Sequence, residues 1–337
     1  MPISRSTQPV KATMLPPGVY TPVISLYKST PEQDLDLEAM YAHCQHLVRA
    51  GQHGLVYQGT NGEAVLLSRE EKVAVLQTVR RAVTDLGLPA YPIVAGISGQ
   101  STRESIQLAK DAGGAGASFG LLLPPSFWAK SVTEETLLGF YRDVADASPL
   151  PIVIYNFPGV TSGVDLNSDD ITALAAHPNI VAVKLTCGNV GKAIRLTSKF
   201  APAQFSVYGG SSDFLVPTLE GGGVGCVTGM GNVFPRATAK VYDLWVAGRK
   251  DEAKALQDVV ANAEWACKKS LALTKFAAGH FLGKRIGAQP EAFWPRKPYL
   301  PPGEKVREWT VDVMGVLAEE ENALPLRDFG VKANGVR

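Results

Sequence analysis

Short apolar runs bounded by glycine and proline alternate with longer amphipathic stretches from Gly18 onward. Val19 to Leu26, Gly54 to Gln58, Tyr91 to Ile97 and Ala117 to Leu123 read as strands. So do Pro151 to Phe157, Ile180 to Thr186, Phe205 to Tyr208 and Gly223 to Thr228. Between them the period lengthens to that of helices. Leu35 to Ala50 is ended by Gly51. Ser68 opens another helix with Glu71 in a capping box, and a Ser101-Thr102 cap opens one that runs to Ala112. Thr133 to Ala147 and Pro235 to Ala247 complete the pattern.

Eight such units between Gly18 and Gly248 average about 29 residues each. The predicted fold class is therefore α/β, a (β/α)8 TIM barrel over 18–250. An open doubly wound sheet would want a glycine-rich first turn, and no G-x-G-x-x-G follows the first strand. Residues 251–337 read as a C-terminal appendage of two or three helices to about Glu320, broken at the proline-rich Pro295 to Pro302 and suited to oligomer packing.

The composition is that of an ordinary globule, with 45% hydrophobic and 19% charged residues. Lys+Arg at 33 against Asp+Glu at 32 suggests no polyanionic partner, so no nucleic acid. No apolar run approaches the roughly 20 residues of a membrane span. Cys44, Cys187, Cys226 and Cys267 are scattered, which fits a reducing compartment and neither a disulfide framework nor a zinc cluster. The leader has basic and hydroxyl residues and no acid, as transit peptides do. Pro2, Pro9, Pro16 and Pro17 would break an amphipathic helix there, so residues 1–17 are expected to be a disordered tail and the protein cytosolic.

Candidate chemistry centres on Lys184, in the middle of the apolar run VAVKLT (181–186). An ammonium in a strand buried on both faces must be paired, reach an open end, or lose its proton. In the last case it becomes an amine that can attack a ketone and form a Schiff base. Tyr155 lies near the end of the neighbouring strand, about 4.8 Å away at strand spacing. Its hydroxyl can shuttle protons there or simply bond backbone. Gly59-Thr60-Asn61-Gly62-Glu63 follows the second strand at the same rim. Two glycines around Thr-Asn can turn backbone N–H groups inward toward a carboxylate, or make a plain turn.

GTNGE, YNFPGVTSG and VAVKLT, in this order and spacing, resemble the dihydrodipicolinate synthase / N-acetylneuraminate lyase superfamily of pyruvate-dependent class I aldolases over roughly residues 18 to 250. The resemblance implies a barrel with Lys184 as the Schiff-base lysine and Tyr155 as the acid/base. It implies Thr60 and Asn61 on the pyruvate carboxylate, and Gly210, Ser212 and Asp213 at positions that bind acceptor hydroxyls in sialate lyases. It also implies a small-molecule 2-oxo acid substrate and a homo-oligomer, dimer or tetramer. With the imine as electron sink, no metal or organic cofactor is required.

The departures are informative. Synthases of dihydrodipicolinate have Thr-Thr where this chain has Thr60-Asn61, arginine where it has Val160, and a tyrosine pair where it has Pro125-Ser126. The G-[ST]-N-G-E form looks more like 4-hydroxy-2-oxoglutarate aldolases and the fungal aldolases of 2-oxo-3-deoxy sugar acids. A neutral Val160 with polar Ser212 and Asp213 favours an uncharged hydroxyaldehyde over glyoxylate. A phosphosugar-binding barrel enzyme and an inactive binding homologue are the competing functions. His43 and His46, at i,i+3, are expected at the surface rather than on a metal. Gly209-Gly210 and Gly221 to Gly223 read as tight turns, Cys187 as a small rim residue, and Lys268-Lys269 as a solvated helix face.

Overall fold

A computed structural model of the chain describes residues 12–330. Eight strands pair in parallel in chain order: Gly18–Pro22 (β1), Gly54–Tyr57 (β2), Ile93–Gly96 (β3), Phe119–Leu122 (β4), Ile152–Asn156 (β5), Ile180–Leu185 (β6), Ser206–Gly209 (β7) and Gly225–Val227 (β8). β8 returns to β1, with Gly18 opposite Gly225, and closes the barrel. The outer ring is Leu37–Arg49 (α1), Arg69–Asp85 (α2), Thr102–Gly114 (α3), Glu134–Ala147 (α4), Ser168–Ala175 (α5), Val190–Thr197 (α6), Leu215–Glu220 (α7) and Pro235–Val246 (α8). The fold is a (β/α)8 barrel.

Period-two alternation along each strand sorts the core into two shells. Val19, Leu55, Ile93, Ile154 and Val183 face outward and pack on helix residues such as Leu47, Val79 and Leu174. Tyr20, Val56, Val94, Val153, Tyr155, Ala182 and Tyr208 point into the barrel. A one-residue slip in any strand would exchange the shells, so burial fixes the register.

Several expectations are corrected. Residues 12–17 close the barrel floor instead of trailing away. Leu15 is buried among the inward side chains. Tyr208 OH donates to the carbonyl of Pro16 at 2.7 Å, and Tyr20 OH to the same carbonyl at 2.8 Å. The rest of the expected tail, residues 1–11, lies outside the described residues. β1 ends at Pro22 because the chain then leaves the ladder: the Ile24 N–H donates to the Asn232 side chain at 3.1 Å. His43 and His46 are buried, not at the surface. His43 lies on the same helical stripe as Met40, Cys44 and Leu47, and that stripe faces the barrel. Burial pushes the His43 imidazole down to about 3 and His46 to about 4, so both are neutral near pH 7.

Beyond the barrel, Lys250–Lys269 (α9), Leu271–Phe281 (α10) and Glu304–Ala323 (α11) form the appendage. It is keyed to the barrel by buried polar contacts. Glu321 on α11 accepts from Arg236 Nε at 2.9 Å and from the Ala237 N–H at 2.7 Å, capping the start of α8. Among the described residues no helix is long and apolar enough to cross a membrane.

Candidate active site

β5 and β6 run side by side with Tyr155 opposite Lys184, and β7 puts Tyr208 on the other side of Lys184. Equal parity turns all three side chains into the barrel. Lys184 is only 4% exposed, and its Nζ stands 3.9 Å from the centre of the Tyr155 ring. Among the described residues no carboxylate pairs with it. The aromatic face is the nearest neighbour described for the amine.

The exit of β5 is braced from outside the barrel. Asn156 donates to Asp165 at 2.6 Å and accepts from the Leu166 N–H at 3.0 Å. Buried Lys192 on α6 ties to Asp165 at 2.5 Å and to the Leu166 carbonyl at 2.6 Å. The residue after Tyr155 is thus fixed by a fully bonded network, which sets the angle at which the tyrosine enters.

Across the barrel, the β2 exit brings Thr60 to the tyrosine, with hydroxyl oxygens 3.3 Å apart. The turn folds on itself: the Gly62 N–H donates to Gly59 O at 3.1 Å and the Glu63 N–H to Thr60 O at 3.1 Å. The Thr60 and Asn61 N–H groups find no acceptor among the described residues. The close approach favours glycine at 62, because a Cβ there would lie 3.1 Å from both the Gln58 nitrogen and the Val23 oxygen. Asn61 reaches toward the end of β8, its Nδ2 lying 2.6 Å from where a Cβ on Gly229 would stand.

Gly210 lets β6 and β7 converge: a Cβ there would sit 2.3 Å from Thr186 Cα and Oγ1. Thr186 escaped the sequence reading, yet its Oγ1 is buried with no hydrogen-bond partner. Strand parity carries the signal that could have found it, since residue 186 follows Lys184 by two on the same face.

Ser212 and Asp213, which the resemblance places on acceptor hydroxyls, are engaged by the appendage. Ser212 Oγ donates to Glu264 of α9 at 2.7 Å, and the Asp213 N–H donates to the same carboxyl at 2.6 Å. The Asp213 carboxylate accepts from Ser211 Oγ at 2.8 Å and is ion-paired with Lys268, which corrects the reading of Lys268 as a merely solvated lysine. Thr228 Oγ1 donates to Glu264 at 2.8 Å. Burial and the Asp213 charge push the Glu264 carboxyl up to about 7.

A cavity of about 800 Å³ opens beside Tyr155 and Thr60, lined by Gln58, Ser98, Gln100, Val160 and Tyr299 among others. Two carboxylates border it, Glu63 and Glu104, and one lysine, Lys72. Glu63 is already ion-paired to Lys275 at 2.5 Å. A smaller notch of about 150 Å³ near His46 and Arg285 holds none of the expected site residues.

The sequence profile of the dihydrodipicolinate synthetase family matches residues 16–312. A protein of Coccidioides immitis (strain RS) named as a mitochondrial 4-hydroxy-2-oxoglutarate aldolase is 44% identical, over 91% of this chain and 98% of its own. An L-threo-3-deoxy-hexylosonate aldolase of Hypocrea jecorina is 40% identical, over 80% of this chain and 88% of its own. A crystal structure of a dihydrodipicolinate synthase family protein from Coccidioides immitis superposes with a TM-score of 0.85 at 42% identity, covering 92% of this chain and 98% of that one. Two relatives, at 44% and 42% identity, are named mitochondrial, which overturns the expectation of a cytosolic protein. The chain belongs to the dihydrodipicolinate synthetase family and is an enzyme of the aldolase kind, a carbon–carbon lyase.

Proposed function

We propose that the protein is a Schiff-base aldolase that cleaves a 2-oxo-3-deoxy sugar acid into pyruvate and an uncharged hydroxyaldehyde. The observation that carries this reading is the buried Lys184 amine against the face of Tyr155, whose hydroxyl meets Thr60. The Lys184 amine adds to the C2 ketone, and loss of water leaves a protonated imine. Tyr155, having given its own proton to that departing water, takes the proton of the C4 hydroxyl. The C3–C4 bond then breaks, its electrons flowing into the imine to give an enamine, while C4 leaves as the aldehyde. A proton returns to C3 and water hydrolyses the imine, releasing pyruvate and the free amine. The unengaged N–H groups of Thr60 and Asn61 are suited to the pyruvate carboxylate.

The neutral polar lining of Gln58, Ser98, Gln100 and Tyr299, with Val160 at the wall, suits a hydroxylated tail better than a second carboxylate. Cleavage of 4-hydroxy-2-oxoglutarate is the second reading. It is favoured by Lys72 on the cavity wall and by the names of the 44% and 42% identical relatives. Borohydride reduction with pyruvate, followed by peptide mass spectrometry, tests the chemistry: a reduced adduct on Lys184 is expected, and its absence overturns the reading. Steady-state cleavage of the two substrate classes then tests the tail, with the sugar acid expected to have the higher kcat/KM.

A further inference from the structure

The turn that carries Thr60 and Asn61 is held from behind by the appendage. Glu63, the last residue of the turn, is 4% exposed and sits in the left-handed backbone region at φ +52°. A non-glycine residue takes that conformation when its surroundings impose it. Its carboxylate accepts from Lys275 Nζ of α10 at 2.5 Å and from the Arg296 N–H at 2.9 Å. Lys275 has no solvent exposure at all. The Tyr27 ring lies against both cations, 4.5 Å from Lys275 Nζ and 4.7 Å from the Arg296 guanidinium carbon. Arg296 is anchored in turn to Glu71 at the start of α2 and to the Leu66 carbonyl. Ser25 completes the cradle by donating to Gly62 O at 2.7 Å.

Two charges this deeply buried are costly unless well bonded, and an apolar contact would hold the helix equally well. What the ion pair adds is direction: a carboxylate fixed at both oxygens sets the backbone two residues upstream. We propose that Glu63 and Lys275 are positioning residues, joining α10 to the Thr60-Asn61 turn so that its N–H groups stay aimed at the substrate carboxylate. This rests on the Schiff-base reading above, and it makes the site incomplete without the appendage.

The pair also carries a pH signature. Burial pushes the Lys275 ammonium down to about 8. The groups facing it are Glu63, Arg296 and Tyr27. Above that pH Lys275 gives up its proton and the grip on Glu63 loosens.

The test is borohydride trapping of pyruvate on Lys184, read as a function of pyruvate concentration. Glu63→Gln is expected to raise the half-saturating pyruvate concentration by on the order of tenfold while full trapping is still reached at saturation. The doubly substituted Glu63→Gln/Lys275→Met protein removes both buried charges, and is expected to keep the fold and show the same rise. The ratio of variant to wild type should shrink as pH rises through about 8, because wild type then loses the same contact. A merely structural role would lower the extent of trapping at saturation and leave the half-saturating concentration unchanged. Wild-type half-saturation in both variants, or a ratio that ignores pH, overturns the proposal alone. No adduct on wild-type Lys184 overturns the Schiff-base reading and this proposal with it.

Discussion

Lys184 Nζ lies 3.9 Å from the centre of the Tyr155 ring, and the two residues are direct partners in the β5–β6 register. The tyrosine thus offers two separate things, an aromatic face to the amine and a hydroxyl to Thr60 at 3.3 Å. Tyr155→Phe keeps the first and deletes the second. In the proposed mechanism the hydroxyl moves the C4 proton, so kcat for cleavage should fall by about 10²–10⁴. The Lys184 adduct with pyruvate should still form, because the amine and its aromatic cover are unchanged. Parallel cleavage and trapping assays check this; loss of both in a folded protein would assign the ring, not the hydroxyl, the main part.

Gly210 is held to hydrogen at its α-carbon by Thr186, which a Cβ would approach to 2.3 Å. Gly210→Ala must displace either β7 or the backbone at Thr186. Overpacking of this kind costs about 1–3 kcal/mol, and Thr186 directly follows β6, the strand that carries Lys184. Denaturant unfolding should report the loss, and kcat should drop with it. A variant of unchanged midpoint and kcat would show that the rim adjusts without touching Lys184.

The barrel was legible in the sequence because its strands are apolar runs with sharp glycine and proline ends, and because period two separates Tyr155 and Lys184 from their outward neighbours. The short helices were not. α5, α6 and α7 have only 8, 8 and 6 residues, too few turns for a 3.6-residue period to stand out. His43 was misjudged for a different reason: a histidine on a stripe of Met40, Cys44 and Leu47 takes the burial of its neighbours. Ser212 and Asp213 are polar residues in a rim loop, and nothing in their own segment reveals that Glu264, some fifty residues on, engages them. The Glu63–Lys275 pair spans 212 residues and is likewise invisible to local pattern. What the chain writes locally could be read, and what the appendage brings back to the barrel could not.

Arg236 and Glu321 form a buried pair, each side chain 7% exposed, between α8 and α11. Glu321 also caps the α8 backbone, so it serves two donors that have no water to turn to. Glu321→Ala removes the guanidinium's counter-charge, leaving it the Leu324 carbonyl, and opens the start of the helix. Removing one partner of such a pair costs about 3–5 kcal/mol. Urea unfolding should register a shift of that size, while Arg236→Met/Glu321→Leu together should recover a good part of it. No recovery in the double variant would place the main stabilisation in the cap instead of the charge pair.

Glu264 gives stability a specific dependence on pH. Burial and the neighbouring Asp213 carboxylate push its carboxyl up to about 7, from the usual 4.5. Its folded value is raised, so the folded state holds this proton more tightly than the unfolded chain. The contribution is complete below about pH 4.5 and is lost progressively as pH rises to about 7. A shift of that size corresponds to roughly 3 kcal/mol across the window. Glu264→Gln keeps an oxygen that can accept from Ser212 and the Asp213 N–H, turns its NH2 toward the Thr228 hydroxyl, and removes the titration. The stability of the variant relative to wild type should therefore increase from pH 5 to pH 8. Urea midpoints at the two pH values measure the difference. A gap between variant and wild type that stays constant with pH would mean that Glu264 titrates no differently in the folded protein than in the unfolded chain.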